Sequence, residues 1–340
     1  MNRVLTIKDI AKEAGCSTST VSRALSNRSD ISAETKERIK SIVEKYNFVP
    51  NSNAKQLKQN ATNTITIIVK GINNMLFAGI IERMQVQMER TKYTVVVDYL
   101  DEEEDEVQNA VQLCKEMKPI GIIFLGAGDE NLKNGYEKIS IPSVIVTNSA
   151  KDLGFENISS VFTDDNAGVS AAINHIIEHG HTSIGIIGGD VKKSFTSRLR
   201  YESCMKCFQE KGISFVEEIQ YEKSRYSFLS SLNATKRLLK KMPEVTALFC
   251  MSDVMAIGAI RALRDEGLTV PDDISIVGYD GIELAEYYNP KITTIRQMQE
   301  KLAVRGVQIL IDSIKSGTAV HEVIQHELLL GESVRYNRLP

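Results

Sequence analysis

The sequence predicts a small helical domain followed by a larger α/β core of two lobes built on parallel sheets. Residues 6–46 carry apolar side chains at helical spacing between capping residues. From residue 64 onward, brief apolar runs alternate with longer amphipathic ones, as in parallel sheets that helices cover on both faces. A chain of 340 residues is also too long for one compact core, so more than one domain is expected.

Residues 6–46 are predicted to form three short helices. Thr6, Ser17 and Ser32 stand where a side-chain oxygen caps a helix, and Gly15 ends the first helix. The predicted inner faces carry Ile7, Ile10, Ala11, Ala14, Val21, Ala24, Leu25, Ile39, Ile42, Val43 and Tyr46. Two short helices joined by a tight turn and braced by a third form the helix-turn-helix arrangement.

The chain changes character after Pro50. Residues 51–60 favour a helix of only two turns, which is unstable in water on its own. The predicted strands of the core are 64–69, 93–100, 120–125, 143–147, 183–189, 246–251 and 274–280. The helical patterns between them include 78–91, 105–117, 166–178, 197–211 and 252–266. This alternation predicts two α/β lobes with a cleft between them.

Charge separates the two parts of the chain. Residues 1–60 hold eleven Lys and Arg against six Asp and Glu, a net charge of +5. The remainder holds 30 against 38, a net charge of −8. A basic head on an acidic body predicts a polyanionic partner for the head alone.

The cysteines and the hydropathy pattern indicate the cellular compartment. The five cysteines are scattered and odd in number, which suits reduced thiols in a cytosol better than a disulfide framework. The first residues lack the apolar run of a signal peptide, and no run of 18 apolar residues could span a membrane. We therefore expect a cytoplasmic protein.

Several motifs together resemble the LacI/GalR (lactose-repressor) family. In the first 58 residues these are "TIKDIAKEAG", "STSTVSRAL", "TKERI" and "PNSNAKQL". In the core they are "DDNAGVSAAINHIIEHGHTSIGIIGG" and "MSDVMAIGAIRALRDEGLTVPDDISIVGYD". The resemblance covers about residues 5–336. It implies a dimeric transcription regulator whose effector-binding core is similar to a periplasmic sugar-binding protein.

The resemblance also implies a division of the chain. The expected parts are a DNA-binding headpiece over 1–49, a hinge helix and linker over 50–62, and an effector-binding and dimerisation core over 63–340. Within the core, the N-lobe is expected at about 63–162 and 294–322, and the C-lobe at about 163–293 and 323–340.

The second helix of the family enters the major groove of DNA. Here the resemblance places Thr18, Ser19 and Arg23 at base-reading positions, and arginine can bond guanine O6 and N7 together. Ser17, Thr20 and Ser22 are expected to reach phosphates or, alternatively, to cap and solvate the helix. The DNA-contacting set also includes Thr6, Asn27, Asn51, Ala54, Lys55, Leu57 and Lys58.

Leu57 has no core to enter in a two-turn helix. In the family, the equivalent leucines of two subunits wedge into the minor groove at the centre of the operator. The alternative is that Leu57 packs only on its dimer mate. We favour the wedge because Asn51, Lys55 and Lys58 flank it with groups that bind phosphate.

For the effector, the resemblance nominates an arginine and an aspartate. Arg198 would donate to a polyol and Asp280 would accept from its hydroxyls. Alternatively, Arg198 forms a surface salt bridge and Asp280 caps a loop. Phe77 and Tyr226 are the expected pocket aromatics. Asn74, Thr147 and Ser252 are further lining positions. Asp165 is expected to cap a helix and is left out.

Other motifs are discounted as sites. His175, His179 and His181 lack the glutamate of a zinc-protease helix, and the histidines around Gly180 are typical of a helix C-terminus. Cys204 and Cys207 have helical spacing without a second ligand pair. The acidic run 101–106 is interpreted as a solvated helix N-terminus. No metal or cofactor is expected.

We therefore expect a sequence-specific transcriptional repressor of carbohydrate-utilisation genes. It would bind a pseudo-palindromic double-stranded operator as a homodimer and respond allosterically to a small sugar-related effector, as inducer or corepressor. The alternatives are a transport-type sugar-binding protein and an α/β enzyme. The basic head argues against the first. The lack of a nucleophile–base pair, phosphate loop or metal set in the sequence argues against the second.

Overall fold

The chain divides into two compact units, 1–60 and 61–340. The computed structural model describes residues 7–25, 31–45, 63–71 and 74–337, and within these it leaves out the side chains of 7–9, 18, 19, 22, 25 and 44. No helix among the described residues is both long and apolar enough to cross a membrane.

The described residues of the first unit form three helices, as the sequence predicts for 6–46. They are α1 (Ile7–Glu13), α2 (Thr18–Leu25) and α3 (Ala33–Lys45). Ser17 and Ser32 cap α2 and α3, because their Oγ atoms accept from the backbone N of Thr20 (3.1 Å) and Thr35 (3.3 Å). The buried core consists of Ile10, Ala11, Ala14, Val21 and Ile39.

The second unit contains two six-stranded sheets. The N-lobe strands are β1 (Thr64–Lys70), β2 (Thr94–Leu100), β3 (Gly121–Leu125), β4 (Ser143–Val146), β5 (Ile158–Thr163) and β11 (His321–Ile324). The C-lobe strands are β6 (Ile184–Gly188), β7 (Tyr221–Lys223), β8 (Ala247–Cys250), β9 (Ser275–Asp280), β10 (Thr293–Arg296) and β12 (Glu327–Leu329).

The order of the N-lobe sheet is β11-β5-β4-β3-β1-β2, and all of its pairs are parallel. The order of the C-lobe sheet is β12-β10-β9-β8-β6-β7, with β12 antiparallel to β10 at one edge. Ile122 and Phe124 of β3 pack into one cluster, whereas Ile123 and Leu125 pack into another. Both faces of this strand are therefore buried, which explains its continuous apolar sequence.

Helices cover both sheets. The N-lobe has α4 (Met75–Glu89), α5 (Glu106–Glu116), α6 (Asp129–Lys133) and α13 (Gln299–Ser316). The C-lobe has α7 (Asp165–Glu178), α8 (Phe195–Lys211), α9 (Glu217–Gln220), α10 (Phe228–Lys241), α11 (Asp253–Asp265) and α12 (Glu283–Tyr287). The fold class predicted from the sequence is confirmed.

The chain passes between the lobes three times, after β5, after β10 and after β11. Two of these crossings differ from the expected lobe limits. Residues 294–296 belong to the C-lobe sheet because β10 pairs with β9, and residues 323–324 belong to the N-lobe sheet because β11 pairs with β5. The apolar pattern alone does not show which sheet a short edge strand joins.

Candidate ligand cleft and nucleic-acid interface

A cavity of about 280 Å³ lies where the carboxyl ends of strands from the two sheets face each other. Gly71 follows β1, Gly126 follows β3, Thr147 follows β4, Gly189 follows β6 and Asp280 ends β9, and all five line it. Ligands of open α/β sheets bind in the crevice at this end of the strands. The topology therefore makes this cavity the candidate ligand site.

Two lining residues have strained backbone. Thr147 and Asp280 adopt φ angles of 88° and 108°, although neither is glycine. Residues in such regions cost about 1–3 kcal/mol and cluster at binding sites, where the surrounding structure holds them in place. Asp280 is held by Gln297, which donates from its backbone N to Asp280 O (3.0 Å) and from Nε2 to Oδ1 (2.8 Å).

Arg200 on α8 is the charged centre of the cavity. Its side chain is 4% exposed, and its Nε donates to Asp165 Oδ1 at 2.8 Å. Its Nη2 lies 3.7 Å from Asp280 Oδ1, and its guanidinium lies 3.7 Å from the centre of the Tyr279 ring. Burial opposes the charge, but the two carboxylates outweigh it and raise the pKa of Arg200. Arg200 is therefore a fixed cation.

For the Asp280 carboxyl, burial outweighs the effect of the neighbouring cation. Burial raises its pKa from 3.8 to about 6, although Arg200 and Gln297 act to lower it. Above about pH 6 the group is therefore a carboxylate, which can only accept hydrogen bonds.

This pKa predicts a pH-dependent stability for the wild type. A carboxyl whose folded pKa exceeds its unfolded value contributes stability below pH 4 and loses it as pH rises through 6. The free energy of unfolding of wild type relative to Asp280→Asn should therefore fall by about 3 kcal/mol between pH 4 and pH 7.5. Urea denaturation of both proteins across this range tests it. Parallel pH curves would contradict the shift.

Neutral polar and aromatic groups complete the wall. Asn74 caps α4 by accepting from Leu76 N at 3.0 Å, Phe77 follows on the same helix, and the Tyr226 hydroxyl bonds Ser197 Oγ at 3.0 Å. Five of the seven expected effector residues, Asn74, Phe77, Thr147, Tyr226 and Asp280, thus line one cavity.

The other two, Arg198 and Ser252, are not among the lining residues. Arg198 bonds Asp129 at 2.9 and 3.0 Å, the salt bridge considered as its alternative. Ser252 is buried and caps α11, because its Oγ accepts from Met255 N at 3.2 Å. The cavity lining therefore includes Arg200 and not the predicted Arg198.

Asp165 also differs from its expected role. The cap of α7 is Asp164, whose carboxylate accepts from the backbone N of Asn166 (2.9 Å) and Ala167 (3.2 Å). Asp165 instead pairs with Arg200. The sequence carried a signal for Arg200, because Ser197, Arg200, Cys204 and Cys207 follow the i, i+3, i+7, i+10 spacing of a buried helix face.

The acidic run 101–106 is not simply a solvated helix end. Asp101 and Glu102 bond Arg225 across the cleft at 2.8 and 3.4 Å, and Glu103 bonds Lys193 at 3.4 Å. Asp105 caps α5, and Glu106 is buried against Lys70 at 2.7 Å. Five of the six therefore bridge the lobes, cap a helix or form an ion pair inside the N-lobe, and Glu104 accepts from Asp101 N at 2.7 Å.

The histidines and cysteines have packing partners. His175 and His179 lie 4.2 Å apart between ring centres, and His181 bonds Thr246 and the carbonyl of Arg335. Cys204 and Cys207 are buried as thiols. In the part of the chain that the structure describes, no group of three or more His, Cys, Asp or Glu is arranged to hold a metal ion.

In the first unit, α2 presents an exposed face. Val21 is fully buried, whereas Arg23 is exposed and Thr20 is half-buried. Ser17 is engaged in capping. Thr18, Ser19 and Ser22 lie on α2, but their side chains are outside the described set. The predicted contacts Thr6, Asn27, Asn51, Ala54, Lys55, Leu57 and Lys58 lie outside the described residues and stay predictions.

Comparison with known families and proteins decides the class of this chain. Residues 6–51 match the family model of bacterial regulatory proteins of the lacI family, and residues 173–334 match a periplasmic binding protein-like domain. The HTH-type transcriptional regulator MalR of Clostridium butyricum is 34% identical over 334 residues, covering 97% of this chain and 99% of that protein. The chain belongs to the lacI family.

Other lacI-family relatives and structures agree with this assignment. The HTH-type transcriptional repressor PurR of Pasteurella multocida is 32% identical over 336 residues, covering 97% of this chain and 98% of that protein. A complex of the transcriptional regulator CelR with cellobiose has a TM-score of 0.72 at 25% identity, covering 97% of this chain and 99% of that one. A lac repressor dimer bound to operator and the anti-inducer ONPF shares the fold, with a TM-score of 0.72 at 24% identity and coverage of 98% and 100%.

Proposed function

We propose that this protein is a homodimeric repressor of carbohydrate-utilisation genes that binds a pseudo-palindromic operator and is controlled by a small sugar in the cleft. The observation that carries the proposal is the cavity itself, where Asp280, Arg200 and Tyr226 converge at the ends of parallel strands. An acceptor, a multiple donor and an aromatic face are the groups that recognise a polyol.

The relatives support the regulatory half of this proposal. MalR and PurR are named as transcriptional regulators, and the unit before the core carries an exposed α2 with Arg23 on it. The structure of CelR with cellobiose supports a sugar as the ligand class. A transport-type binding protein would have no use for the basic headpiece, so operator binding distinguishes the two functions.

The experiment is selection of operator sequences from random duplex DNA by the full chain. A pseudo-palindromic motif should emerge, and the selected duplex should then be titrated in the presence of a panel of sugars. An effector that releases the duplex is an inducer, and one that tightens binding is a corepressor. Failure to enrich any duplex would refute the proposal.

Arg23→Ala should weaken binding to the selected operator by on the order of 1–3 kcal/mol and relax the preference at one base pair per half-site, because a base-edge contact is lost. Lys40→Ala on the exposed side of α3 is the matched control and should lower affinity for all duplexes alike or leave it unchanged. Binding to the operator and to a half-site variant measures both. An unchanged preference in Arg23→Ala would remove Arg23 from the base-reading set.

A further inference from the structure

Among the described residues, each lysine and arginine that lines the cavity already has a carboxylate partner. The lining cations are Lys70, Lys193, Arg200, Lys223 and Arg225. Each forms an ion pair with Asp or Glu within 3.4 Å. Carboxylates of the protein therefore neutralise the positive charge of the wall. This pairing affects which ligands the cavity accepts.

The inner pairs are rigid. Lys70 at the end of β1 bonds Glu106 at 2.7 Å, and the Glu106 side chain is only 1% exposed. Glu106 also accepts from Gly128 N (2.6 Å) and Asn131 Nδ2 (2.9 Å). A carboxylate held by three donors stays in place, so it keeps the Lys70 ammonium engaged.

The cations at the mouth of the cavity are more exposed, but they are also paired with carboxylates. Lys223 bonds Asp190 at 2.8 Å within the C-lobe. Arg225 reaches across to Asp101 at 2.8 Å and Glu102 at 3.4 Å, and Lys193 reaches Glu103. In the described part of the chain, the mouth therefore offers an incoming anion no cation without an adjacent carboxylate.

The charges of the wall and its partners sum to a negative value. The five cations face seven carboxylates, those of Asp101, Glu102, Glu103, Glu106, Asp165, Asp190 and Asp280. Glu106, Asp165 and Asp280 of this set are buried, so they repel a phosphate or carboxylate on the ligand more strongly than the exposed carboxylates at the mouth do. The wall also carries neutral polar side chains, each already hydrogen-bonded within the chain, among them Asn74, Asn148, Ser194, Ser224 and Gln297.

We infer that the cleft selects an uncharged polyhydroxylated ligand and rejects its phosphorylated and acidic counterparts. This inference rests on the proposed function and narrows its ligand class. It assigns the carboxylates around the cavity a part in specificity, since they neutralise the cations that would otherwise attract an anion.

The first test compares matched sugars by thermal shift and calorimetry with the full chain. The set is glucose, galactose, ribose and cellobiose, each beside its phosphate ester, with glucuronate and galacturonate added. Where a neutral sugar binds, its anionic counterpart should bind at least about tenfold more weakly. Tighter binding of any anionic member than of its neutral counterpart would overturn the inference.

The second test needs no sugar, because inorganic phosphate is the probe. Wild type should show no saturable phosphate binding at millimolar concentrations, with chloride of equal ionic strength as reference. The double variant Asp101→Asn, Glu102→Gln leaves Arg225 without its carboxylates and should gain saturable binding. Asp129→Asn is the matched control, since it releases Arg198, which is outside the cavity lining, and should gain none.

The outcomes separate this inference from the proposed function. Saturable phosphate binding by wild type that Arg225→Ala removes would overturn the inference, as would a double variant that gains nothing. A phosphorylated sugar that alone changes operator binding would leave the proposed repressor standing and refute the selection for uncharged ligands. A set of sugars that leaves operator binding unchanged would count against the sugar effector itself.

Discussion

Arg200→Ala should lower the free energy of unfolding by about 3–5 kcal/mol at pH 7.5, because it leaves Asp165 and Asp280 buried without their cation. Urea denaturation measures this change. Arg198→Ala is a matched control two residues away on the same helix. Its pair with Asp129 is partly solvated, so the loss should be below about 1 kcal/mol.

A charge-balanced variant tests the reason for this loss. Arg200→Met combined with Asp165→Asn and Asp280→Asn removes all three charges, so part of the lost stability should return. Equal stability of Arg200→Ala and the triple variant would mean that packing, rather than unpaired charge, explains the loss. If Arg198→Ala proved the more damaging change, the argument from the buried charge pairs of Arg200 would be wrong.

Gly281→Ala should lower the free energy of unfolding nearly as much as Arg200→Ala does, but for a steric reason. Gly281 has φ +64°, and a Cβ there would lie 2.5 Å from Arg296 Cα. The left-handed backbone costs about 1–2 kcal/mol in a residue other than glycine. Forcing a methyl group against backbone adds about 1–3 kcal/mol, so the total should be about 2–5 kcal/mol. Because Asp280 precedes it, ligand affinity should fall as well.

Gly317→Ala separates the two contributions. Gly317 has φ +71° with no atom within 4 Å of the added Cβ, so only the backbone cost of about 1–2 kcal/mol applies. Denaturant midpoints for both variants give the comparison. Equal losses would show that the strand end at 280–281 relaxes and that its tight approach to β10 contributes little.

Local chemistry made most of the elements predictable. Ser17 and Ser32 mark helix starts because a side-chain oxygen satisfies a backbone N at the first turn. Strands such as β3 and β9 are recognisable because both faces are buried, which demands a continuous apolar run. These signals lie within a few residues, so the sequence alone is enough to find them.

The sequence analysis does not predict β5, β7, β10, β11 and β12, whose sequences carry weaker signals. The sequence of β5 is ISSVFT, in which Ser159 and Ser160 are buried yet polar. Their hydroxyls find partners in Ser313 and His321, which are about 150 residues or more away in the chain. A search for apolar runs cannot find a strand whose polar residues are satisfied by distant elements.

The cavity lining was predicted in outline, but its arginine was not, although the spacing of the buried face of α8 indicates Arg200. Arg198 and Arg200 stand two residues apart in the stretch SRLR, so a helix directs them about 200° apart around its axis. Only the position of the buried face decides which one enters the cavity. The acidic run posed the same difficulty, because Asp101 and Glu102 find Arg225 more than 120 residues later.

Gln297 lies in one of the three crossings between the lobes and also forms part of the cavity wall. Its side-chain amide donates to the Asp280 carboxylate. Its backbone carbonyl accepts from Gln299 N (2.8 Å), where α13 begins. Gln297 therefore belongs both to a crossing between the lobes and to the wall of the cavity. A ligand that competes for Asp280 would remove this hydrogen-bond acceptor from the crossing, next to the start of the 18-residue helix α13.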